Sequence, residues 1–385
     1  ENFSPKHRFG TFPAFGVGWV ISNEGFWQPL SKIVSFLKIR YTDGKVGNSE
    51  VSDRRFMYLD QMKENGAYGY KFGPNGTKWS GYETQNMAVD LIWEESRKQD
   101  LGVDLKMFND ELSVVFDLFK ERRENILLKR EHSIPSFLGY NTSAPYGNIG
   151  IVENKGFDGT IEYNKRIDKD WTIAFRANIT YNKDKWIQGE LPEQKYGWMD
   201  QYGRNINSSK GYVAEGLFTQ AEIDDMARWE SLSSANKAIT PKPFASQFGV
   251  VKAGDIKYKD LNGDGQIDAY DQTYISRGNV PTTVYGFGFT LRWKDLSIGM
   301  MFQGTAGAER VLSGSSINPF NGGGGTGNLY TNIDDRWTEE NPDQNVFYPR
   351  LSHGAETTSN INNFQNSTWW VYNMDFLRLK TMQIS

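Results

Sequence analysis

Hydrophobic and polar residues alternate with a period of two along several stretches of this chain. In the clearest stretch, residues 171–181, polar side chains occupy one face and the other face carries Trp171, Ile173, Phe175, Ala177, Ile179 and Tyr181. Such alternation predicts a β-strand with two unlike faces. The apolar face begins and ends with an aromatic residue, which is typical of a strand whose two ends lie at membrane interfaces.

A second pair of alternating stretches predicts a β-hairpin. Tyr285–Trp293 and Leu296–Phe302 both alternate, and only Lys294 and Asp295 separate them. The first stretch, from Trp171 to Tyr181, has ten steps of about 3.3 Å, so at a tilt of about 40° it spans about 25 Å along the membrane normal. That height matches the apolar band of an outer-membrane barrel.

The remaining alternating stretches bring the total to about nine predicted strands. They are Phe9–Ile21, Ile33–Thr42, Leu91–Phe108, Leu112–Leu128, Ile149–Lys165 and Val371–Ser385. Short connections at 22–32, 109–110, 166–170 and 294–295 alternate with long ones at 43–90, 129–148, 183–284 and 303–370. Strict alternation predicts an all-β, antiparallel up-and-down transmembrane barrel with short periplasmic turns and long extracellular loops.

The long connection 183–284 contains one stretch with helical signals. Thr219 is a candidate N-cap, and Glu222 stands at the capping-box position. We expect a helix over 219–229 that packs on the extracellular loop.

Composition narrows the function classes. The formal net charge is −4 with no basic stripe, so nucleic acid is not an expected partner. There is no Cys and there are only 3 His, so a metal site must use oxygen ligands. Aromatic residues make up 14% of the chain, beside 39 Gly. This composition suits an aromatic-girdled barrel or a carbohydrate-binding β protein.

Residues 260–271 have the spacing of an EF-hand calcium loop. Asp260, Asn262 and Asp264 stand at positions 1, 3 and 5, and Gly265 at the sharp turn. The Gln266 carbonyl, Asp268 and Asp271 complete the predicted ligand set. Position 12 is Asp in place of the usual Glu, and an ordinary turn without metal is the alternative interpretation. In either case we expect the segment to make an extracellular loop rigid.

Aromatic side chains of the long connections are the candidate substrate contacts: Trp79, Tyr82, Trp186, Trp198, Tyr202, Trp369 and Trp370. Such rings can stack on sugar rings or on peptide side chains, and packing of loop on loop is the alternative for each one. Catalysis is not expected, since the His residues are scattered and no Gly-x-Ser-x-Gly elbow occurs. A glycosidase would need a pocket with two carboxylates within about 10 Å.

Several short motifs, in order along nearly the whole chain, resemble the barrel strands of SusC/RagA-type TonB-dependent transporters. The N-terminal ones are Phe9-Gly10, Phe12-Pro13, Gly18-Trp19, Phe36–Arg40, Gly44–Asn48, Trp93-Glu94, Leu101–Asp104 and Asn154–Phe157. The later ones are Gly254–Asp260 running into Asn262–Gly265, Tyr285–Gly288, Gln303-Gly304 and Phe376–Lys380.

This resemblance implies a barrel of about 22 strands around an N-terminal plug. It also implies TonB-driven import of glycans or peptides across the outer membrane of Bacteroidota, with a SusD-like lipoprotein as a lid. Residues 1–385 would be the C-terminal part of the barrel domain, trimmed at both ends, with the plug, the TonB contact and the first strands outside it. A secreted, calcium-stabilised carbohydrate-binding β protein is the rival hypothesis.

Overall fold

The computed structural model describes residues 3–50, 56–86, 89–134, 137, 144–314, 317–319, 330–352 and 361–385. The strands of the first half are β1 Ala14–Val20, β2 Val34–Asn48, β3 Gln61–Phe72, β4 Thr77–Asn86, β5 Glu94–Met107, β6 Leu112–Lys129, β7 Tyr146–Arg166 and β8 Trp171–Gln188. Those of the second half are β9 Ser209–Gly211, β10 Ala214–Leu217, β11 Ile256–Tyr258, β12 Thr273–Ser276, β13 Thr283–Trp293, β14 Leu296–Ala306, β15 Glu309–Val311, β16 Val371–Asn373 and β17 Phe376–Ile384. The α-helices are α1 Gln220–Glu230 and α2 Ser234–Lys237.

Nine strands form one antiparallel sheet in the order β1, β2, β5, β6, β7, β8, β13, β14 and β17. These are the nine strands that the alternating pattern predicts, and each pairs with the next one in chain order. The up-and-down arrangement is therefore confirmed. The sheet is open, with β1 and β17 at its edges.

The connections alternate in length as predicted, although their boundaries differ. Within the sheet the short ones are 21–33, 108–111, 167–170 and 294–295, and the long ones are 49–93, 130–145, 189–282 and 307–375. The predicted loop 183–284 was too wide, because β8 continues to Gln188. Residues 182–188 are mostly polar, so the alternation that marks a strand fades there although the backbone pairing with β7 continues.

One face of the sheet is apolar across all of its strands, because the register aligns the apolar positions. Phe175 pairs with Tyr163 on one side and with Phe289 on the other, Phe289 pairs with Met300, and Met300 with Met382. The apolar side chains of this face are exposed or half-buried over these described strands. A water-soluble sandwich would bury such rows against a second sheet.

Aromatic rings lie at both ends of the apolar face. At the end with the short turns, Trp171 stacks on Trp293 with 5.9 Å between ring centroids. Toward the long connections, Phe157 and Tyr181 lie 5.5 Å apart. Two aromatic rows at the ends of an apolar band are the arrangement of an outer-membrane barrel wall.

The described parts of the connections 189–282 and 307–375 pack together into a unit that we call the loop unit. Its buried core consists of Tyr212, Leu217, Ala253, Ile256, Tyr258, Ile267, Trp337, Tyr348 and Trp370. The two-stranded sheets β10–β11, β9–β12 and β15–β16 belong to it. These strands have three or four residues each, too few for a periodic pattern. Only β16 lies within a predicted strand, Val371–Ser385, and the strand of that region in the large sheet, β17, begins at Phe376. The sequence pattern also missed the hairpin β3–β4, which lies in the connection 49–93.

The predicted helix is confirmed as α1. Thr219 is its N-cap, and its hydroxyl accepts from the Glu222 backbone N–H at 3.3 Å while the Glu222 carboxylate accepts from the Thr219 backbone N–H at 2.9 Å. This reciprocal pair satisfies two backbone donors that the helix leaves open. Over the described ranges, no helix combines the length and the apolar character needed to cross a membrane.

Candidate functional site: the polar sheet face and the long connections

The polar face of the sheet, opposite the apolar one, carries a cluster of charges around Arg40. Its guanidinium lies 3.2 Å from Asp100, 3.5 Å from Asp104 and 2.6 Å from Asp117. The cluster joins β2, β5 and β6 across the wall. A carboxylate on each side of one guanidinium holds all three strands in register through directional hydrogen bonds.

Gly102 makes the contact between Arg40 and Asp117 feasible, although β5 lies between their two strands. In the sheet register Gly102 lies directly between Arg40 on β2 and Asp117 on β6. A Cβ at position 102 would overlap the Arg40 guanidinium and the Asp117 carboxylate. Because Gly102 has no side chain, the Arg40 side chain can extend across β5 and reach Asp117 on β6.

Further along this face, Arg176 forms an ion pair with Glu162 at 3.0 Å. This ion pair joins β7 and β8. Arg292 on β13 donates from Nε to the Lys294 carbonyl at 3.2 Å. A cavity of about 690 Å³ lies on the sheet beside Glu162 and Arg176, and Asn178 and Thr290 contribute to its polar lining.

A second cavity of about 320 Å³ opens on the polar face where the sheet meets the loop unit. Trp186, Arg123, Asn154 and Asp184 line it, together with Ile206 from the connection 189–282. We call it the Trp186 cavity. The Asn154 Oδ1 atom is buried and accepts no hydrogen bond from the described residues. The cavity thus combines an aromatic wall, both signs of charge and one free amide acceptor.

Trp79 and Tyr82 lie on β4, at the hairpin β3–β4. Their side chains are 64% and 69% exposed, the highest values among the predicted contact residues. A large exposed ring at a hairpin is available to a ligand or a partner protein without rearrangement.

Trp198 and Tyr202 are half-buried and engaged within their own loop. Trp198 stacks on Tyr196 with 4.5 Å between ring centroids, and its indole N–H donates to the Tyr270 carbonyl at 2.9 Å. Tyr202 donates its hydroxyl to the Leu191 carbonyl at 3.0 Å. Each ring thus has one polar anchor and a partly open face.

Trp370 was wrongly predicted as a substrate contact. Only 3% of it is exposed, and its indole N–H donates to the Asn363 carbonyl at 2.9 Å inside the loop-unit core. Trp369 is half-buried beside this core and donates to the Phe347 carbonyl at 3.1 Å. The Trp-Trp pair therefore anchors the loop unit to the start of β16, and loop packing was the correct interpretation for Trp370.

Residues 260–271 form a turn closed by carboxylates that accept backbone N–H groups. Asp260 accepts from Gly263 at 2.6 Å and from Gly265 at 2.7 Å. Asp271, which is fully buried, accepts from Leu261 at 2.8 Å and from Asp268 at 2.9 Å. Among the described residues, no group of three or more acidic or His side chains has the arrangement of a metal site. Calcium at Asp260, Asn262, Asp264, Gln266, Asp268 and Asp271 stays a prediction from the spacing alone.

The segment before this turn has a role that the sequence did not reveal. Gly254, with φ +82°, lies against the Trp337 ring, and a Cβ there would overlap that ring. Tyr258 donates its hydroxyl to the Asn362 carbonyl at 2.7 Å, and burial raises the pKa of its phenol. Each partner comes from the connection 307–375, more than 70 residues away, so the contacts leave no local signal in the sequence.

Comparison with known proteins identifies relatives of the whole chain. The sequence model of the family described as "TonB dependent receptor-like, beta-barrel" matches residues 57–270. TonB-dependent receptor P3 of Formosa agariphila is 25% identical, and the match covers 99% of this chain and 35% of that protein. SusC of Bacteroides thetaiotaomicron is 26% identical over 77% of this chain and 27% of its own length.

The fold has a counterpart among solved structures. The structure of the RagAB peptide transporter matches 100% of this chain and 38% of the solved chain, with a TM-score of 0.70 and 21% sequence identity. The described chain therefore spans about 38% or less of the length of each of these relatives.

Proposed function

This chain belongs to the TonB dependent receptor-like β-barrel family, and from that premise we propose that it forms the wall and outer loops of a transporter that imports glycans or peptides. Relatives of the SusC and RagA type are outer-membrane proteins of Bacteroidota. The apolar face, exposed over nine strands and flanked by aromatic rows, is the surface that such a wall presents to lipid. This face is the single observation that carries the proposal.

For the transported substrate we propose contacts in the Trp186 cavity. Trp186 supplies a ring for stacking, Arg123 and Asp184 supply both signs of charge, and Asn154 supplies a buried acceptor. A pocket with one aromatic wall and a few polar groups suits a sugar or a short peptide. The cavity lies on the polar face beside the loop unit, where a substrate would enter the barrel.

The partners that we propose are a SusD-like surface lipoprotein and TonB. The lipoprotein would dock on the loop unit and on the exposed rings of Trp79 and Tyr82, because large rings that face solvent favour a protein interface. TonB would act through a part of the transporter outside residues 1–385. We also propose that the turn 260–271 serves to stiffen the loop unit, with calcium as its predicted ligand.

The rival hypothesis, a secreted carbohydrate-binding protein, expects the apolar rows to be buried. They are exposed instead, so the full-length protein should require detergent for extraction and stay folded in it. A protein released into the aqueous fraction without detergent would contradict the transporter.

Uptake of labelled oligosaccharides and oligopeptides by cells carrying the full-length protein tests the substrate proposal. We expect Trp186→Ala to weaken uptake about two- to tenfold, since stacking on an aromatic ring contributes about 0.5–1.5 kcal/mol. Trp27→Ala is the matched control, because Trp27 lies in a short connection at the opposite end of the sheet and donates to the Val34 carbonyl. Equal effects of the two variants would contradict a role of the Trp186 cavity. If the wild-type protein imported neither the oligosaccharides nor the oligopeptides, that result would contradict the import proposal itself.

A further inference from the structure

Three lysines lie side by side on the apolar side of the wall, just beyond its aromatic row. Lys120 on β6 pairs in register with Lys155 on β7, which pairs with Lys183 on β8. One step nearer the membrane, the same register aligns Leu118, Phe157 and Tyr181. The lysines thus occupy the level at which lipid headgroups meet the barrel, on the side of the long connections. We call this row, with the row next to it, the basic rim.

The second row of the basic rim consists of Arg97, Arg122, Glu153 and Lys185, with Lys45 beside Arg97. Here most charges have partners. Arg97 pairs with Asp43, Lys45 with Glu95, and Arg122 with Glu124.

Asp43, Glu95 and Glu124 are thus paired with other cations. Among the described residues of these two rows, Glu153 is the remaining carboxylate for Lys120, Lys155, Lys183 and Lys185. It lies 3.3 Å from Lys120 and 3.2 Å from Lys185, so it is shared between them. Lys155 and Lys183 are both exposed and are direct cross-strand neighbours of like charge. Like charges placed opposite each other destabilise a sheet unless an anion lies between them.

We propose that the basic rim binds the phosphate-bearing headgroup of a lipid in the membrane leaflet on the side of the long connections. The headgroup phosphate would accept from Lys155 and Lys183, and from Lys120 at its edge, while the acyl chains cover the band below Phe157 and Tyr181. A lipid has an anionic headgroup and hydrocarbon chains, so it matches both the basic rim and the apolar band beside it. A soluble anion matches only the basic rim. This site is independent of the transported substrate.

The opposite end of the wall supports the assignment by contrast. Lys165 lies on the same side of β7 near the short turn, and Glu111 pairs with it at 3.0 Å. That lysine is neutralised within the protein. Among the described strand lysines on the apolar side of β6, β7 and β8, the two without an ion pair, Lys155 and Lys183, therefore lie at the end with the long connections.

The test reconstitutes the full-length protein in nanodiscs of phosphatidylcholine with a minor fraction of phosphatidylglycerol, and mass spectrometry measures the lipids that remain bound after extraction. Wild type should be enriched in phosphatidylglycerol, and the enrichment should fall as salt rises. Each lysine near an anionic headgroup contributes about fivefold in affinity, so Lys155→Gln with Lys183→Gln should lose about 25-fold.

Two variants and one competitor decide the interpretation. Lys165→Gln is the matched control and should retain wild-type enrichment, while Lys155→Arg with Lys183→Arg should keep both charge and binding. Millimolar inorganic phosphate should not displace the lipid. Loss of enrichment in Lys165→Gln, no loss in the double Gln variant, or displacement by inorganic phosphate would each overturn the proposal. A double Gln variant that fails to fold shifts the decision to the two single variants, each expected to lose about fivefold.

Discussion

Asp255 and Arg350 form a bidentate ion pair that joins two long connections of the chain. Arg350 Nε lies 2.9 Å from one carboxylate oxygen and Arg350 Nη2 lies 3.1 Å from the other. Asp255 is only 1% exposed, and Asn363 also donates to it at 2.9 Å. Asp255 lies in the connection that follows β8, and Arg350 lies in the connection that follows β14. The ion pair therefore positions the loop unit relative to two different parts of the wall.

Replacing Arg350 with Ala should loosen the loop unit by about 3–5 kcal/mol, since the buried Asp255 carboxylate would lose its compensating charge. Hydrogen exchange should show faster exchange over 253–258 and 361–363, with the wall strands unchanged. Arg228→Ala is the control, because its pair with Asp225 is exposed and contributes at most about 1 kcal/mol. Unchanged protection in Arg350→Ala would contradict a structural role for the pair.

Gly102→Ala should destabilise the wall by about 1–3 kcal/mol, because the new Cβ meets the Arg40 guanidinium and the Asp117 carboxylate. Thermal unfolding in detergent measures the change. Gly159→Ala on β7 is the matched control, since a Cβ there finds ordinary contacts at 3.5 Å. If both variants unfold at the wild-type temperature, the contact over Gly102 does not constrain the wall.

Protonation of Glu222 should weaken the start of α1. Burial acts to raise the pKa of this carboxyl, but hydrogen bonds from Thr219 and the ion pair with Lys257 outweigh it and leave the pKa lowered. A lowered pKa in the folded state stabilises the helix above the ordinary glutamate range, and this contribution is lost as pH falls through the folded value.

Hydrogen exchange of the α1 amides across the acidic range measures this effect. Glu222→Gln should flatten the pH dependence while keeping the helix, because glutamine also accepts at the capping-box position. Glu215→Gln, at an exposed position on β10, should leave the pH dependence as in wild type. A pH dependence that persists in Glu222→Gln assigns it to another group.

Calcium should raise the unfolding temperature of the loop unit if the spacing of 260–271 is read correctly, with a dissociation constant of about 10⁻⁴–10⁻³ M as in extracellular sites. Asp264→Asn should abolish this response, since it removes a charged oxygen at position 5. Asp224→Asn on α1 serves as the control outside the turn. If calcium does not change the unfolding temperature, the calcium prediction is wrong and only the hydrogen bonds of the turn hold its conformation.

Strand positions and their order followed from the sequence because membrane strands alternate strictly. Each residue of 171–181 faces either lipid or the polar interior, so its side-chain type records its direction. Local capping chemistry was equally readable, as Thr219 and Glu222 show. These signals act between residues that are near in sequence, or on the environment of one side chain.

The loop unit was beyond such reasoning. In the sequence Trp370 and Trp79 look alike, since both are Trp residues in long connections between predicted strands. Only long-range packing decides that Trp370 is buried and Trp79 is exposed. The Trp186 cavity likewise depends on Ile206 returning to β8, and the basic rim depends on the register that aligns three lysines from three strands.

Sequence alone determined the barrel wall, because period-two alternation is imposed residue by residue by the two environments on either side of a strand. Tertiary structure alone decided which loop side chains are core, which line a cavity and which charges stay unpaired. Those outcomes arise from contacts between segments far apart in the chain, such as Asp255 with Arg350, and no local pattern encodes them.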